Sequence, residues 1–207
     1  MNKIKKIILI RHGSLDKQYD GCYIGSTDLP LSREGRREAE AMGRFLKQQD
    51  IDCVYSSPLL RARQTVEAAF RLLTQIPVIY DELLREIDFG AWETLTFAQI
   101  CERNPELIEQ WNSRDGKFTF PGGENVGDFY DRVRRVKQKL LDSADNNIAI
   151  VSHGGILSNL ISDVLDIGPH KSLSLKMDRG SVSTLSLFEN GIGVLNSLNY
   201  KPIEYGF

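Results

Sequence analysis

Two of the three histidines in this 207-residue chain occupy matching settings. Ile7-Ile8-Leu9-Ile10 runs into Arg11-His12-Gly13, and Ile148-Ala149-Ile150-Val151 runs into Ser152-His153-Gly154-Gly155. Such short, wholly apolar runs read as strands buried on both faces of a parallel sheet. Ligands bind beyond the C-terminal strand ends of such sheets, so His12 and His153 are expected to meet there despite their separation in sequence. The stretch from Ser56 to Thr65 adds Arg61 and Arg63 on a helix that leaves the same edge. Two imidazoles, at least two guanidiniums among Arg11, Arg61 and Arg63, and a helix N-terminus describe an anion site, and the planar fork of Arg suits phosphate oxygens. Neutral imidazole can attack phosphorus while cations stabilise the oxygens. An acid must then protonate the leaving oxygen. Residues 81–93 offer Asp81, Glu82, Glu86, Asp88 and Glu93, and the residue types alone leave all five open. Glu86 stands out because Ile87, Phe89 and Trp92 could desolvate it.

Each of these residues also has a plainer reading. Arg61 and Arg63 fit a solvated helix face. Glu82, Asp88 and Glu93 fit turn caps or a solubilised loop. Phe89 and Trp92 suit the core of a cap better than a platform for substrate. His170 follows Pro169 in a polar loop and is assigned no role. Ser152 lacks the G-x-S-x-G surroundings of a nucleophile elbow. Gly13, Gly154 and Gly155 form neither a dinucleotide fingerprint nor a P-loop. Cys22, Cys53 and Cys101 are too widely spaced for a disulfide framework or a metal knuckle, and three histidines do not make a histidine-rich metal site.

The elements that position these groups alternate between strand and helix. The first strand starts near Lys3 and ends at Arg11. A polar loop, residues 14–31, follows, and its Gly25-to-Leu31 part is expected to fold back over the site. Ser32 caps a helix over residues 33–48, with Ala39, Met42 and Leu46 on its inner face. Residues 51–55 form a short strand. Ser57 then reads as a cap, and Pro58 as the first residue of a helix reaching residue 72 that buries Val66, Ala69 and Phe70. Residues 77–80 are a further strand. Residues 83–124 lack sheet periodicity and carry two short helices, 96–103 and 105–112, which makes them the candidate cap. Val126, Phe129, Val133, Val136 and Leu140 recur at helical spacing. After the His153 strand a helix spans 156–164. Apolar stretches at 173–177, 182–188 and 193–198 close the chain, the last two flanking a hairpin turn at Asn190-Gly191. The predicted fold is α/β: a three-layer sandwich with a mainly parallel central sheet, helices on both faces and a small inserted cap.

Composition narrows the classes of function. The chain is 41% apolar and 26% charged, with a formal net charge of −2, which argues against nucleic-acid binding through a broad basic face. No stretch is long enough to cross a bilayer. The N-terminal lysines and short apolar run are ended by Arg11 and His12 with no small-residue cleavage site, so a cytoplasmic protein is expected. The closing hairpin offers an edge through which two copies could pair as a homodimer.

Five blocks in order resemble the histidine phosphatase superfamily, which includes the cofactor-dependent phosphoglycerate mutases. They are Ile8-Leu9-Ile10-Arg11-His12-Gly13 with Gly25-Ser26-Thr27-Asp28-Leu29-Pro30-Leu31, Ser56-Ser57-Pro58-Leu59-Leu60-Arg61-Ala62-Arg63, Leu83 through Glu93, Pro121-Gly122-Gly123-Glu124, and Val151-Ser152-His153-Gly154-Gly155. The likeness spans residues 1–207 as one domain, with the cap at 83–124. It implies that His12 is the nucleophile that becomes phosphohistidine. It implies that Arg11, Arg61 and His153 bind the phosphoryl oxygens, with Ser26, Thr27 and Gly154 beside the substrate. Glu86 is then the general acid and later the base that activates water. No metal or cofactor is implied. One histidine is expected neutral for attack and the other charged to hold the anion. Three positions depart from the family pattern: Ser14 where Glu or Gln is common, Thr94 where Gly follows Trp-Glu, and Asn125 where Ser is usual. Glycolytic mutases carry a longer, arginine-bearing insertion than residues 94–120, whose cations are Arg103, Arg114 and Lys117, so a hydrolase of a small phosphorylated metabolite is favoured over a mutase. Broad sugar-phosphate phosphatases share much of the pattern, and an idle phosphate-binding regulator is disfavoured by the complete set of site residues. Tyr23 through Ser32 and the Glu86-to-Glu93 block are most similar to the α-ribazole 5'-phosphate phosphatase branch, which acts in assembly of the cobalamin nucleotide loop.

Overall fold

The structure is a computed structural model that describes residues 4–113 and 116–202. Lys3 and Arg114, named above, lie outside the described residues. Six strands form one sheet in the order β3-β2-β4-β1-β5-β6. They are β1 (Ile4–Arg11), β2 (Cys53–Ser56), β3 (Val78–Tyr80), β4 (Asn147–Ser152), β5 (Val182–Phe188) and β6 (Gly193–Tyr200). The pairs β1–β4, β2–β4 and β2–β3 are parallel, whereas β5 runs antiparallel to both β1 and β6. The sheet is therefore mixed. The closing hairpin sets β6 antiparallel to β5: Phe188 and Ile192 pair across the Glu189-to-Gly191 turn, where Gly191 takes φ +80.

Alternate residues of the central strands feed two cores. Ile7, Leu9, Ile148 and Ile150 face α5 (Val126–Asp142) and α6 (Gly154–Val164). Ile8, Ile10, Ala149 and Val151 face α1 (Arg33–Leu46) and α2 (Leu60–Ala69). All eight are fully buried. Burying each large aliphatic side chain is worth about 1.5–3 kcal/mol, so both helical layers are tied to the same strands. Ser32 caps α1 as expected, accepting from the Gly35 N–H at 3.0 Å, and Ala39, Met42 and Leu46 face inward.

Some boundaries differ from the expectation. Pro58 lies outside α2, which begins at Leu60, and Asp28 accepts the Leu60 N–H at 2.6 Å from another loop. Residues 173–177 form no strand, because the chain winds there through a short 3-10 turn, Pro169–Ser174. Among the described residues, those within 83–124 contribute nothing to the sheet. They carry α3 (Phe97–Arg103), begun by a Thr96/Gln99 capping box, and α4 (Pro105–Ser113). Trp92 is completely buried there, with Tyr23, Trp111, Phe118 and Phe120 around it.

Candidate active site

Strand register assembles the site. Ile10 pairs with Val151 and Arg11 with Ser152, so the next residues, His12 and His153, emerge side by side. Their ring centroids are 5.2 Å apart. On the other flank of β4, Ser56 pairs with Val151, and Ser57 follows it to the same edge. Gly13 is required at the turn, since a Cβ there would run into the Gly35 backbone of α1.

The His12 ring is buried, and its Nδ1 lies 2.8 Å from the Gly13 carbonyl. A carbonyl only accepts, so Nδ1 carries the proton and Nε2 keeps its lone pair. Burial, then Arg61 and Arg11, holds the His12 pKa well below the ordinary imidazole value. His12 is thus a neutral imidazole with a nucleophilic Nε2. His153 is arranged in the opposite sense. Its Nδ1 accepts from Arg61 Nε at 3.1 Å, which places the proton on Nε2, 2.8 Å from Ser57 Oγ. Burial, Arg61, His12 and Arg11 also keep His153 well below the usual value. The expected split into one neutral and one charged ring is therefore absent: both are held neutral. Two guanidiniums in a buried pocket depress both rings, and an entering anion would relieve both.

Arg61 is fully buried. Besides His153, it donates to the Thr27 carbonyl at 2.9 Å and the Gly25 carbonyl at 2.7 Å. These bonds use three of its five N–H groups. Burial pushes its pKa down to about 10, partly offset by Glu86, Asp28 and Glu93. Arg11 donates to the Met177 carbonyl, and its Nε is a buried donor with no partner among the described residues. Its pKa is likewise about 10, lowered by burial and then by Arg179. A buried guanidinium N–H beside a neutral histidine is a built anion contact. Arg63 points elsewhere: it is exposed and stacks over Tyr80 at 5.6 Å.

Glu86 bridges to the start of α6. Its carboxylate accepts the Ile87 N–H at 3.0 Å and the Gly155 N–H at 2.8 Å. The helix dipole favours a carboxylate at this end. Arg132 on α5 braces the loop behind it, donating to the carbonyls of Leu83 at 2.9 Å and Arg85 at 2.6 Å while pairing with Glu124 at 2.8 Å.

Ser26 and Thr27 direct their hydroxyls at carboxylates, Ser26 to Asp88 at 2.8 Å and Thr27 to Glu93 at 2.6 Å. Glu93 also accepts the backbone N–H groups of Gly25, Ser26 and Phe89. It is the strap that holds the Gly25–Thr27 carbonyls against Arg61, a role its reading as a turn cap undersold. Ser57 and Thr65 were not assigned to the site from sequence. Ser57 receives His153, and Thr65 Oγ1 accepts the Gly13 N–H at 3.2 Å. Their position beside strand ends that bear Arg11, His12 and His153 was the available signal. Ser14 binds Glu38 through both its N–H and its hydroxyl, at 2.6 and 2.9 Å. Thr94 occupies the left-handed region with φ +64, which explains why glycine suits that position.

Arg11, His12, Glu86, Gly154 and Gly155 line a cavity of about 1070 Å³. Arg61 and His153 lie behind this wall. The cavity lining also includes the aromatic residues Tyr23, Phe89, Phe97, Trp111, Phe129 and Tyr130 and the cations Arg179, Lys176 and Lys201. This constellation can bind a phosphoryl group, accept it on nitrogen and protonate a leaving oxygen. The chain belongs to the histidine phosphatase superfamily (branch 1), whose sequence pattern matches residues 7–200. The adenosylcobalamin/α-ribazole phosphatase of Escherichia coli K12 is 30% identical over 200 residues, covering 96% of this chain and 97% of that protein. The crystal structure of the α-ribazole phosphatase from Shigella flexneri superposes with a TM-score of 0.84 at 29% identity, covering 98% of this chain and all of the other. A bifunctional protein of Mycobacterium tuberculosis is 34% identical over 196 residues, 94% of this chain. The chain spans only 53%, about half, of that relative's length.

Proposed function

We propose that the protein is a metal-independent phosphomonoesterase of the cytoplasm that works through a phosphoryl group carried on His12 and takes α-ribazole 5'-phosphate as substrate. One observation carries the mechanism: the Gly13 carbonyl holds the His12 proton on Nδ1, so Nε2 faces its task unprotonated. Nε2 attacks phosphorus, and the bond to the leaving oxygen breaks. Arg11, Arg61 and His153 stabilise the phosphoryl oxygens as charge builds. Glu86 delivers a proton to the leaving oxygen, then takes one from the water that attacks the phosphohistidine. Inorganic phosphate departs, and His12 is regenerated.

The substrate assignment rests on the α-ribazole phosphatases similar to this chain over nearly its whole length, and on aromatic residues in the cavity lining, suited to a nucleotide with a fused-ring base. The test is phosphate release by EDTA-treated protein from α-ribazole 5'-phosphate, 3-phosphoglycerate, fructose phosphates and phosphoserine. A preference of about 100-fold in kcat/KM, roughly 2.7 kcal/mol of transition-state discrimination, is expected for α-ribazole 5'-phosphate. A flat profile would remove the cobalamin assignment and leave a broad phosphatase. Turnover that persists in His12→Ala would remove the phosphohistidine mechanism itself.

A further inference from the structure

Asn159 stands on α6 one turn beyond Gly155, at the cavity wall. It is only 7% exposed. Its amide nitrogen lies 2.9 Å from the Gly155 carbonyl. That carbonyl only accepts, so the two ends of the amide are unambiguous. The other end, Oδ1, is a buried acceptor with no partner among the described residues. The helix that carries it also buries Ile156, Leu157, Leu160 and Ile161. A half-satisfied amide in such a setting calls for a donor from outside the chain.

We propose that Asn159 selects the leaving group by accepting a hydrogen bond from one of its hydroxyls, so that the substrate is the phosphomonoester of a sugar or sugar-like polyol. This rests on the phosphomonoesterase reading above. Gly155 links the two groups: its N–H is bound by Glu86, the acid that serves the leaving oxygen, and its carbonyl by the Asn159 amide, so the free Oδ1 sits within one sugar ring of the acid. Charge selects a hydroxyl over an ammonium donor, because Arg11, Arg179, Lys176 and Lys201 share the cavity with Glu86, Asp20 and Asp178. The competing explanation is a water in the small void of about 20 Å³ between Asn159, Tyr130, Asp163 and Pro169, which would serve the fold alone.

The experiment compares ribose 5-phosphate with tetrahydrofurfuryl phosphate, the same ring without its hydroxyls. Wild type is expected to favour ribose 5-phosphate by about 10- to 100-fold in kcat/KM. Asn159→Leu should erase that preference and leave tetrahydrofurfuryl phosphate within about twofold of wild type. Equal losses on both substrates, or an intact preference, would overturn the proposal in favour of a structural amide. Asn159→Ser is the second variant should leucine prevent folding, and absence of the preference in wild type alone would suffice to overturn it. Failure of the underlying reading looks different: wild type would hydrolyse neither compound and form no phosphohistidine.

Discussion

Gly155→Ala should uncouple the acid from the nucleophile. Gly155 lies in the first turn of α6, where alanine is normally the better residue by about 1 kcal/mol. Here, however, a Cβ would overlap Oε1 of Glu86 and stand only 3.1 Å from its Cδ. Restoring ordinary contact requires the carboxylate to move by roughly 1 Å, which breaks or lengthens its bond to the Gly155 N–H. A charge-assisted bond of this kind is worth about 1.5–3 kcal/mol, so the net destabilisation after the helix gain is only about 0.5–2 kcal/mol. The protein should fold. Catalysis should suffer more, because a 1 Å misplacement can cost about 100-fold. The loss must depend on the leaving group. An alkyl phosphate needs the proton and should lose about 100-fold in kcat/KM, whereas 4-nitrophenyl phosphate leaves without help and should lose less than about 10-fold. The parameter matters: kcat/KM reports steps up to phosphohistidine formation, before Glu86 acts as a base. Gly154→Ala is the control, since its Cβ would meet the Arg11 guanidinium at 3.1 Å and leave Glu86 alone. Equal losses of Gly155→Ala on both substrates would refute Glu86 as the acid.

Two further outcomes concern stability. Both His12 and His153 titrate well below the ordinary imidazole range in the folded protein, so below about pH 6.5 the unfolded chain takes up protons that the folded one refuses. Stability should fall with decreasing pH, by an amount on the order of 2–3 kcal/mol between pH 7 and 5.5 in urea titrations free of phosphate and sulfate; His12→Asn should remove about half of the dependence, and an unchanged dependence would contradict the assignment. Thr94→Gly should stabilise the protein by about 0.5–1 kcal/mol, since the side chain is exposed and relief of a β-branched residue at φ +64 exceeds the added chain entropy; a lower urea midpoint would refute it.

What could be read from the chain divides along local and non-local lines. The strand ends carrying His12 and His153 were legible because apolar runs and strand direction are local signals that register then converts into adjacency. The α1 cap was legible for the same reason. Ser57 was legible only in part: its hydroxyl accepts the Leu59 N–H at 3.3 Å, as its place before Pro58 suggests, but α2 begins only at Leu60 and the same hydroxyl receives His153 from another strand. Asp28 supplied the missing cap from a distant loop. Glu93 gathers N–H groups from a segment far away in sequence, which no spacing rule anticipates. Arg61 and Arg63 were indistinguishable as residues, and the helix phase alone sent one into the site and the other to Tyr80. The antiparallel entry of β5 beside β1 had no local signal, since the hairpin that follows fixes only the direction of β6 relative to β5.

The bond between His12 and the Gly13 carbonyl also decides a question of isomerism. An imidazole can carry a phosphoryl group on either nitrogen, and free histidine in water yields both products. With Nδ1 turned to the main chain, only the remote nitrogen is open, so a phosphoryl group taken up by His12 belongs to a single regioisomer, 3-phosphohistidine. Antibodies and phosphorus spectra tell the two isomers apart. The label on a trapped protein would therefore report which way the ring faced at the moment of transfer, as a chemical record of a main-chain contact.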